Sequence, residues 1–484
     1  MATYNHGVRI LESATPITAP ITGTAGLQVV FGTAPINLAA DPYSVTNTPI
    51  IAYDYAEAVS QLGYSDDYDS YTLCQSIYAS FKVLGVAPVV FINVLDPTKH
   101  IKEGSSEAVT VTNMQATVAE TGILADTLKV QADESELVAG TDYITEFDST
   151  GGLIITLTAT GAGANASSLT LSYKALDPSK VTADDVIGTY NAQTGKDSGL
   201  EVLSQVYPKL GLTPGLLLAP GWSHKADVGI ALAAKCEEIN GVFTCECLVD
   251  LDSTSEGAIV YTNVQTVKND SGCNSAHAMA LWPCVKVGSK KFWYSAIMGA
   301  TIAYVDANND DVPYLSPSNK LVGITGTCLA DGTEVTLDQV RGNMLNGQGI
   351  TTAINNGGWK TWGNNTAIYP NSTDPKDRWF CCRRFFSWWG NSFILTYADK
   401  VDGAASLQLI ENIVDSENIR GNAYVSAGKC AGAKMSYVAA DNSTTDIING
   451  KVEFTQTLAP WPPAEDIVNN LSFDPDMLTA ALNA

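Results

Sequence analysis

The chain is 484 residues long, 45% hydrophobic and 16% charged, with 9 Trp and 20 Tyr, too long for a small stapled scaffold and too apolar for a disordered one. Its 27 Lys+Arg stand against 51 Asp+Glu for a net charge of -24, the reverse of the basic footprint that phosphate binding requires. Nucleic acid and anionic membranes are therefore excluded as expected partners. The opening MATYNHGVRILES lacks a cationic and an apolar region, and GLLLAPGW is cut by Pro220, so neither a secretory signal nor a membrane span is expected and the reading is cytoplasmic. Ten Cys without a CxxC pair and only 4 His predict no metal site.

In chain order, GVRILE (7–12) reads as a short strand and ATPITAPITGTAG as a Thr/Pro/Gly tether, giving an arm over 1–26. An α/β pattern then fills 27–100: the strand LQVVFG, the helices AYDYAEAVSQLG and YTLCQSIYASFKVLG closed by Gly63 and Gly85, and the buried strand APVVFINVLD. Over 101–176 the period drops to two, in AVTVT, TLKV, DYITEF, LIITLTAT and LTLSYKA, which predicts an inserted small all-β domain. The α/β pattern resumes over 177–375 with helices at 182–190 and 198–207, the strand GLLLAP, the helix DVGIALAAKCEEI, the strand VFTCECLVD, a strand through 280–287 and a helix after Trp293.

From 376 to 459 a C-terminal α+β domain is expected: a strand RWFCCRRFFSWWG, a helix near 404–419, and strands over 433–439 and 451–459. Residues 460–484 form a second arm. Pro460, Pro462 and Pro463 impose a stiff spacer, Ile467, Leu471 and Phe473 share one face of an extended segment, and Asp474–Pro475 caps a short terminal helix.

No Walker loop, GxGxxG, HExxH, GxSxG or EF-hand loop occurs, so no catalytic residue or cofactor is assigned. The glycine clusters GNMLNGQG (342–349) and NNGGW (355–359) read as turns. Asp306, Asp310 and Asp311 in DANNDD read as a solvated turn in preference to a cation site. Arg383 and Arg384, among Phe385, Phe386, Trp388 and Trp389, read as a structural or subunit-contact cluster on a strand.

Taken collinearly, GVRILE, VVFGTAP (29–35), EAVSQLG, LLLAPGWS, YLSPSNK (314–320), GITTAINNGGWKTWGNNTA, RWFCCRRFF and APWPPAED resemble the tail sheath proteins of contractile phages, relatives of R-type bacteriocin and other contractile injection system sheaths. The sequence departs from that family at Asn365, where many members carry Arg. The resemblance implies a non-catalytic subunit that forms stacked hexameric rings around an inner tail tube protein and meets baseplate and tail terminator proteins. It implies assembly in the bacterial cytoplasm and release as part of a phage tail or bacteriocin particle. It also implies terminal arms that add strands to a neighbour's C-terminal sheet. On this sequence the N-terminal arm would be Val8, Ile10 and Leu11 and the C-terminal arm Ile467, Leu471 and Phe473. The receiving sheet would include Met435, Tyr437, Val452 and Phe454, and the helix near 404–419 would face the tube through Leu407, Glu411 and Asp415. The alternatives are another assembly protein, such as a baseplate or surface-layer subunit, and an α/β enzyme, because fold never excludes catalysis.

Overall fold

The computed structural model describes residues 23–133 and 135–483. Its centre is an eight-stranded sheet assembled from both sides of the insertion. The chain enters through β1 (Gln28–Gly32), β2 (Pro49–Ala52), α1 (Tyr55–Leu62) and β3 (Val89–Asn93). After the insertion come β4 (Leu216–Leu218), α2 (Ala226–Glu237), β5 (Glu246–Asp250), β6 (Ala278–Leu281), α3 (Tyr294–Ala307), β7 (Ile350–Asn355) and β8 (Trp359–Trp362). The strand order is β2-β3-β1-β4-β5-β6-β7-β8. The inner pairs from β3 to β7 are parallel, and β2 and β8 close the two edges antiparallel.

Parallel strands covered by helices on both faces carry near-continuous apolar runs, and QVVFG, VVFIN, LLL and AMAL are buried at every position. The register aligns Val90, Val29, Leu217, Cys247 and Ala278 across the sheet. Cys245 and Cys247 are accordingly small buried side chains, like all ten cysteines. Local signals set the ends of α1, the glycine stop as expected. Asp54 accepts from Glu57 N at 2.8 Å to start α1, and Gly63 with φ 73° ends it.

The insertion is two packed antiparallel sheets, one of Ile101–Thr110, Ser168–Leu176, Lys129–Ala132 and Ser135–Leu137, the other of Gln115–Val118, Leu153–Leu157 and Tyr143–Phe147. Ser168–Leu176 alternates buried Leu169, Leu171 and Tyr173 with exposed neighbours, the period-two signature of a half-buried strand. Gln115–Val118 and Ser135–Leu137 are additional strands, too short and too polar on their outer face for the pattern to mark.

Two expectations are corrected here. The strand drawn through 280–287 is two strands, β6 and Cys284–Val287, because Pro283 has no N–H to continue a ladder; the second half joins a separate small sheet with Lys290–Phe292 and Gly326–Cys328. GNMLNGQG is largely the end of a helix, Gln339–Asn346, started by Asp338, whose carboxylate accepts from Arg341 N at 2.8 Å.

Asp250, the last residue of β5, takes over the capping of α3 that Trp293 cannot perform. Fully buried, it accepts from Ser295 N at 2.8 Å and from the hydroxyls of Ser223 (3.1 Å) and Ser295. Burial pushes its carboxyl up to about 6 although these hydrogen bonds pull it down. Because the folded value lies above the unfolded one near 3.9, stability falls as pH rises between the two, by up to about 3 kcal/mol. Urea unfolding should show Asp250→Asn gaining about 2–3 kcal/mol on the wild type between pH 4 and pH 7.

Candidate assembly surface

The segment expected as the strand RWFCCRRFFSWWG is instead a helix, α4 (Phe380–Tyr397). The sequence misleads because α4 is wedged between the sheet and the C-terminal elements, so it is apolar almost all round and shows no clean period. Cys381 and Cys382 are therefore neighbours on a helix, both buried.

The polar groups of α4 meet partners on the core and on the chain entering β1. Arg384, 1% exposed, donates to the carboxylate of Asp306 (3.1 Å to Oδ1) on α3 and to Ala25 O at 3.0 Å. Burial raises the Asp306 carboxyl pKa even against the pull of Arg384. Ser387 donates to Glu246 Oε1 at 2.6 Å, and Asn391 exchanges two hydrogen bonds with the backbone of Thr244. Trp388 Nε1 donates to Gly23 O at 3.0 Å while Ser392 Oγ accepts from Gly23 N at 2.9 Å. The start of the described chain, at Gly23, is thus bolted to α4.

DANNDD is corrected at its first acid. Asp306 takes Arg384, and Asp310 accepts from Lys429 Nζ at 2.6 Å, with Asn309 O beside it at 3.0 Å. Asp306 is thus a buried anchor and not part of a solvated turn, whereas Asp310, 87% exposed, lies in that turn as expected and meets Lys429 from it.

Those elements are α5 (Leu407–Ser426), β9 (Cys430–Ser436) and β10 (Thr455–Pro460). Between α4 and α5, the buried pair Glu417–Arg420 is completed by Gln456 Nε2 on Glu417 (2.9 Å) and by the ring of Trp389 4.1 Å from the Arg420 guanidinium. β9 and β10 form a two-stranded antiparallel sheet, Met435 opposite Gln456 and Ala433 opposite Leu458. Its two long edges differ. Asn418 of α5 donates to Met435 O at 3.0 Å and accepts from Met435 N at 2.9 Å, closing the outer edge of β9. By the alternation of an antiparallel pair, Gln456 and Leu458 turn their N–H and C=O groups to the outer edge of β10, where no strand lies among the described residues. Pro460, without a donor, ends that edge.

Of the residues expected to receive an arm, Met435 lies in β9 and is buried, while Tyr437, Val452 and Phe454 fall outside both strands. The expected strands 433–439 and 451–459 are shifted because the connection between them is stitched by Asn442, which donates to Glu453 O and accepts from Glu453 N, and the rings of Tyr437 and Phe454 pack 6.1 Å apart on it. Pro460 is corrected from spacer to strand end, opposite Cys430, whereas Pro462 and Pro463 lie beyond the strand. Ile467, Leu471 and Phe473 are 85%, 90% and 79% exposed in a segment that pairs with nothing described. The terminal helix α6 (Pro475–Leu482) forms as expected, Asp474 accepting from Asp476 N and Met477 N. Leu407, Glu411 and Asp415 share the exposed face of α5. Val8, Ile10 and Leu11 lie outside the described residues. The ties through Arg384, Lys429 and Asn418 escaped the sequence reading; the signal present was a pair of arginines inside a long apolar run of an acidic chain.

No family model matches the chain. It is 28% identical to the tail sheath protein of Burkholderia phage BcepMu over 481 residues, 96% of this chain and 95% of that protein. Its fold matches that in the sheath complex of an extracellular contractile injection system, PVC, in the contracted state (TM-score 0.58, 14% identity, 99% of each chain). It also matches that of the anti-feeding prophage helical sheath in the contracted state (TM-score 0.57, 13% identity, 98% of this chain and 100% of that one). The fold is therefore the one found in contractile sheaths. The resemblance to the tail sheath family holds over nearly the whole chain, which is a structural subunit of a contractile sheath.

Removing one partner of a buried ion pair strands the other. Arg384→Met should lower the unfolding free energy by about 3–5 kcal/mol, and adding Asp306→Leu should return most of it; denaturant unfolding of the single and double variants checks the pair.

Proposed function

We propose that this subunit polymerises with copies of itself around an inner tube through strand addition at its C-terminal sheet, and contracts by moving rigid bodies that stay joined by their arms. The observation that carries the proposal is the open outer edge of β10 beside an extended segment whose apolar residues Ile467, Leu471 and Phe473 are uncovered. A free strand edge and an unpartnered strand-forming segment in one chain suit β-augmentation between copies. An arm on Gln456 and Leu458 would make several main-chain bonds worth about 0.5–1.5 kcal/mol each, modest singly and large when every subunit repeats them. The N-terminal arm, Val8, Ile10 and Leu11, would leave from the bolted start at Gly23, and residues 13–22 extended reach roughly 33 Å.

In this reading the sheet and its helices (27–100 and 177–375) are the moving body, 376–459 carries the receiving surface, and 101–176 is an appendage. The Leu407, Glu411 and Asp415 face of α5 would meet the tube, and the ends of the polymer would meet baseplate and terminator proteins. Contraction needs no nucleotide: a higher-energy extended lattice relaxes into a shorter, wider one as body contacts improve. The particle would assemble in a bacterial cytoplasm and be released as a phage tail or bacteriocin, its tube driven through a target envelope.

Chains lacking residues 1–12 or 464–484 should remain folded by circular dichroism yet form no tubes in negative-stain electron microscopy, whereas the full chain does; normal tubes from either truncation would overturn the arm assignment.

A further inference from the structure

A groove of about 900 Å³ lies between the core and the start of the C-terminal arm. One wall is made by Trp362, Asn365, Tyr369, Arg378 and Trp379, and the other by the chain's own Trp461–Ile467. Few bonds hold that second wall. Trp461 Nε1 donates to Gly428 O at 3.1 Å, Cys382 Sγ lies 3.8 Å from Trp461 O, and Arg378 Nη2 donates to Glu465 Oε2 at 2.9 Å. Beyond Glu465 the character of the chain changes. Residues 466–473 are all exposed and make no described hydrogen bond to the body.

Arg378 is prepared for Glu465 by its surroundings. Its guanidinium lies 4.0 Å from the ring centre of Trp379 and 4.4 Å from that of Tyr369, and Nε donates to Asn365 Oδ1 at 3.1 Å, which fixes the plane and leaves Nη2 to face the arm. The pair itself is open to solvent, Arg378 24% and Glu465 42% exposed, so it is weak and screened by salt. The receptor is rigid and the bond is easily broken, which is the combination a releasable contact needs.

We propose that Arg378 and Glu465 form a clasp that sets the reach of the C-terminal arm, with residues 461–465 held as slack. Closed, the arm is free only from 466, and the nine residues to Asp474 span roughly 30 Å at about 3.3 Å each. Open, it is free from Trp461 and spans roughly 45 Å. Pro462 and Pro463 keep the released stretch extended, so nearly all of the slack becomes reach. An arm that stays paired with a neighbour while the bodies shift needs such a reserve, and here the inference rests on the arm-mediated assembly proposed above. Arg378 acts as a positioning residue for the arm.

The test is an intrachain distance. Nitroxide labels at Val340→Cys, on the exposed face of the helix beside the groove, and Ala464→Cys, exposed within the clasped stretch, leave the ten buried native cysteines unmodified. Pulsed electron resonance on the unassembled chain at low salt should give a narrow distribution, and Glu465→Gln or 1 M salt should broaden it to distances longer by up to roughly 10 Å, the released length from Trp461 to the label. An unchanged distribution in Glu465→Gln, or a broad one in the wild type at low salt, overturns the clasp. In tubes diluted with unlabelled chain the long and short lattice states should differ in this distance, and one distance in both overturns its use as slack. A wild-type chain with a closed clasp that forms no tubes would instead strike the assembly reading and leave the clasp standing.

Discussion

The buried pair between Arg384 and Asp306 is the constraint on which the rest of this molecule's geometry depends. It joins three parts of the chain at one point: α3, which packs on the central sheet; α4, which carries the C-terminal elements; and the backbone at Ala25, which leads into β1. A carboxylate and a guanidinium are costly to bury and tolerable only when paired, so the pair fixes a relative placement that apolar packing alone would leave free to slide. Around it, Ser387 on Glu246, Asn391 on Thr244 and Lys429 on Asp310 fix the same junction with polar contacts of defined direction.

The consequence is a sharp division of stiffness. The central sheet, α3, α4 and the C-terminal elements are held together by buried pairs and close packing, while beyond Glu465 the chain makes no described hydrogen bond to the body. A subunit that must transmit force as a unit, yet remain joined to neighbours that move, needs this contrast. The same contrast is repeated in the small C-terminal sheet. Asn418 seals one edge and leaves the other open, so the surface that can accept a strand is directional.

How much of this the sequence discloses follows from where its physical signals are strong. Buried parallel strands such as VVFIN and LLL announce themselves by composition, and Gly63 and Gly85, with φ of 73° and 65°, mark helix ends that glycine accommodates best. The alternating Leu169, Leu171 and Tyr173 reveal the insertion. α4 is illegible because burial on all sides erases the periodicity by which helix and strand are told apart; of its two arginines, read as a structural or subunit-contact cluster, Arg384 is an interior bolt. Asp306 of DANNDD is hidden for the matching reason: its cation, Arg384, lies 78 residues away, and no local pattern links the two. The open edge of β10 was equally hidden, since it depends on Asn418, which resembles any other polar residue on a helix.

The account turns on which surface takes a neighbour's arm. Cryo-electron microscopy of tubes grown from the purified full-length chain, at a resolution that separates strands, tests this directly. The predicted result is a widened sheet in which a strand from another copy runs along Gln456 and Leu458 on the outer edge of β10, with the Asn418 contacts to Met435 intact. Tubes in which that edge faces solvent, or in which the arm has displaced Asn418 and joined β9, would contradict it.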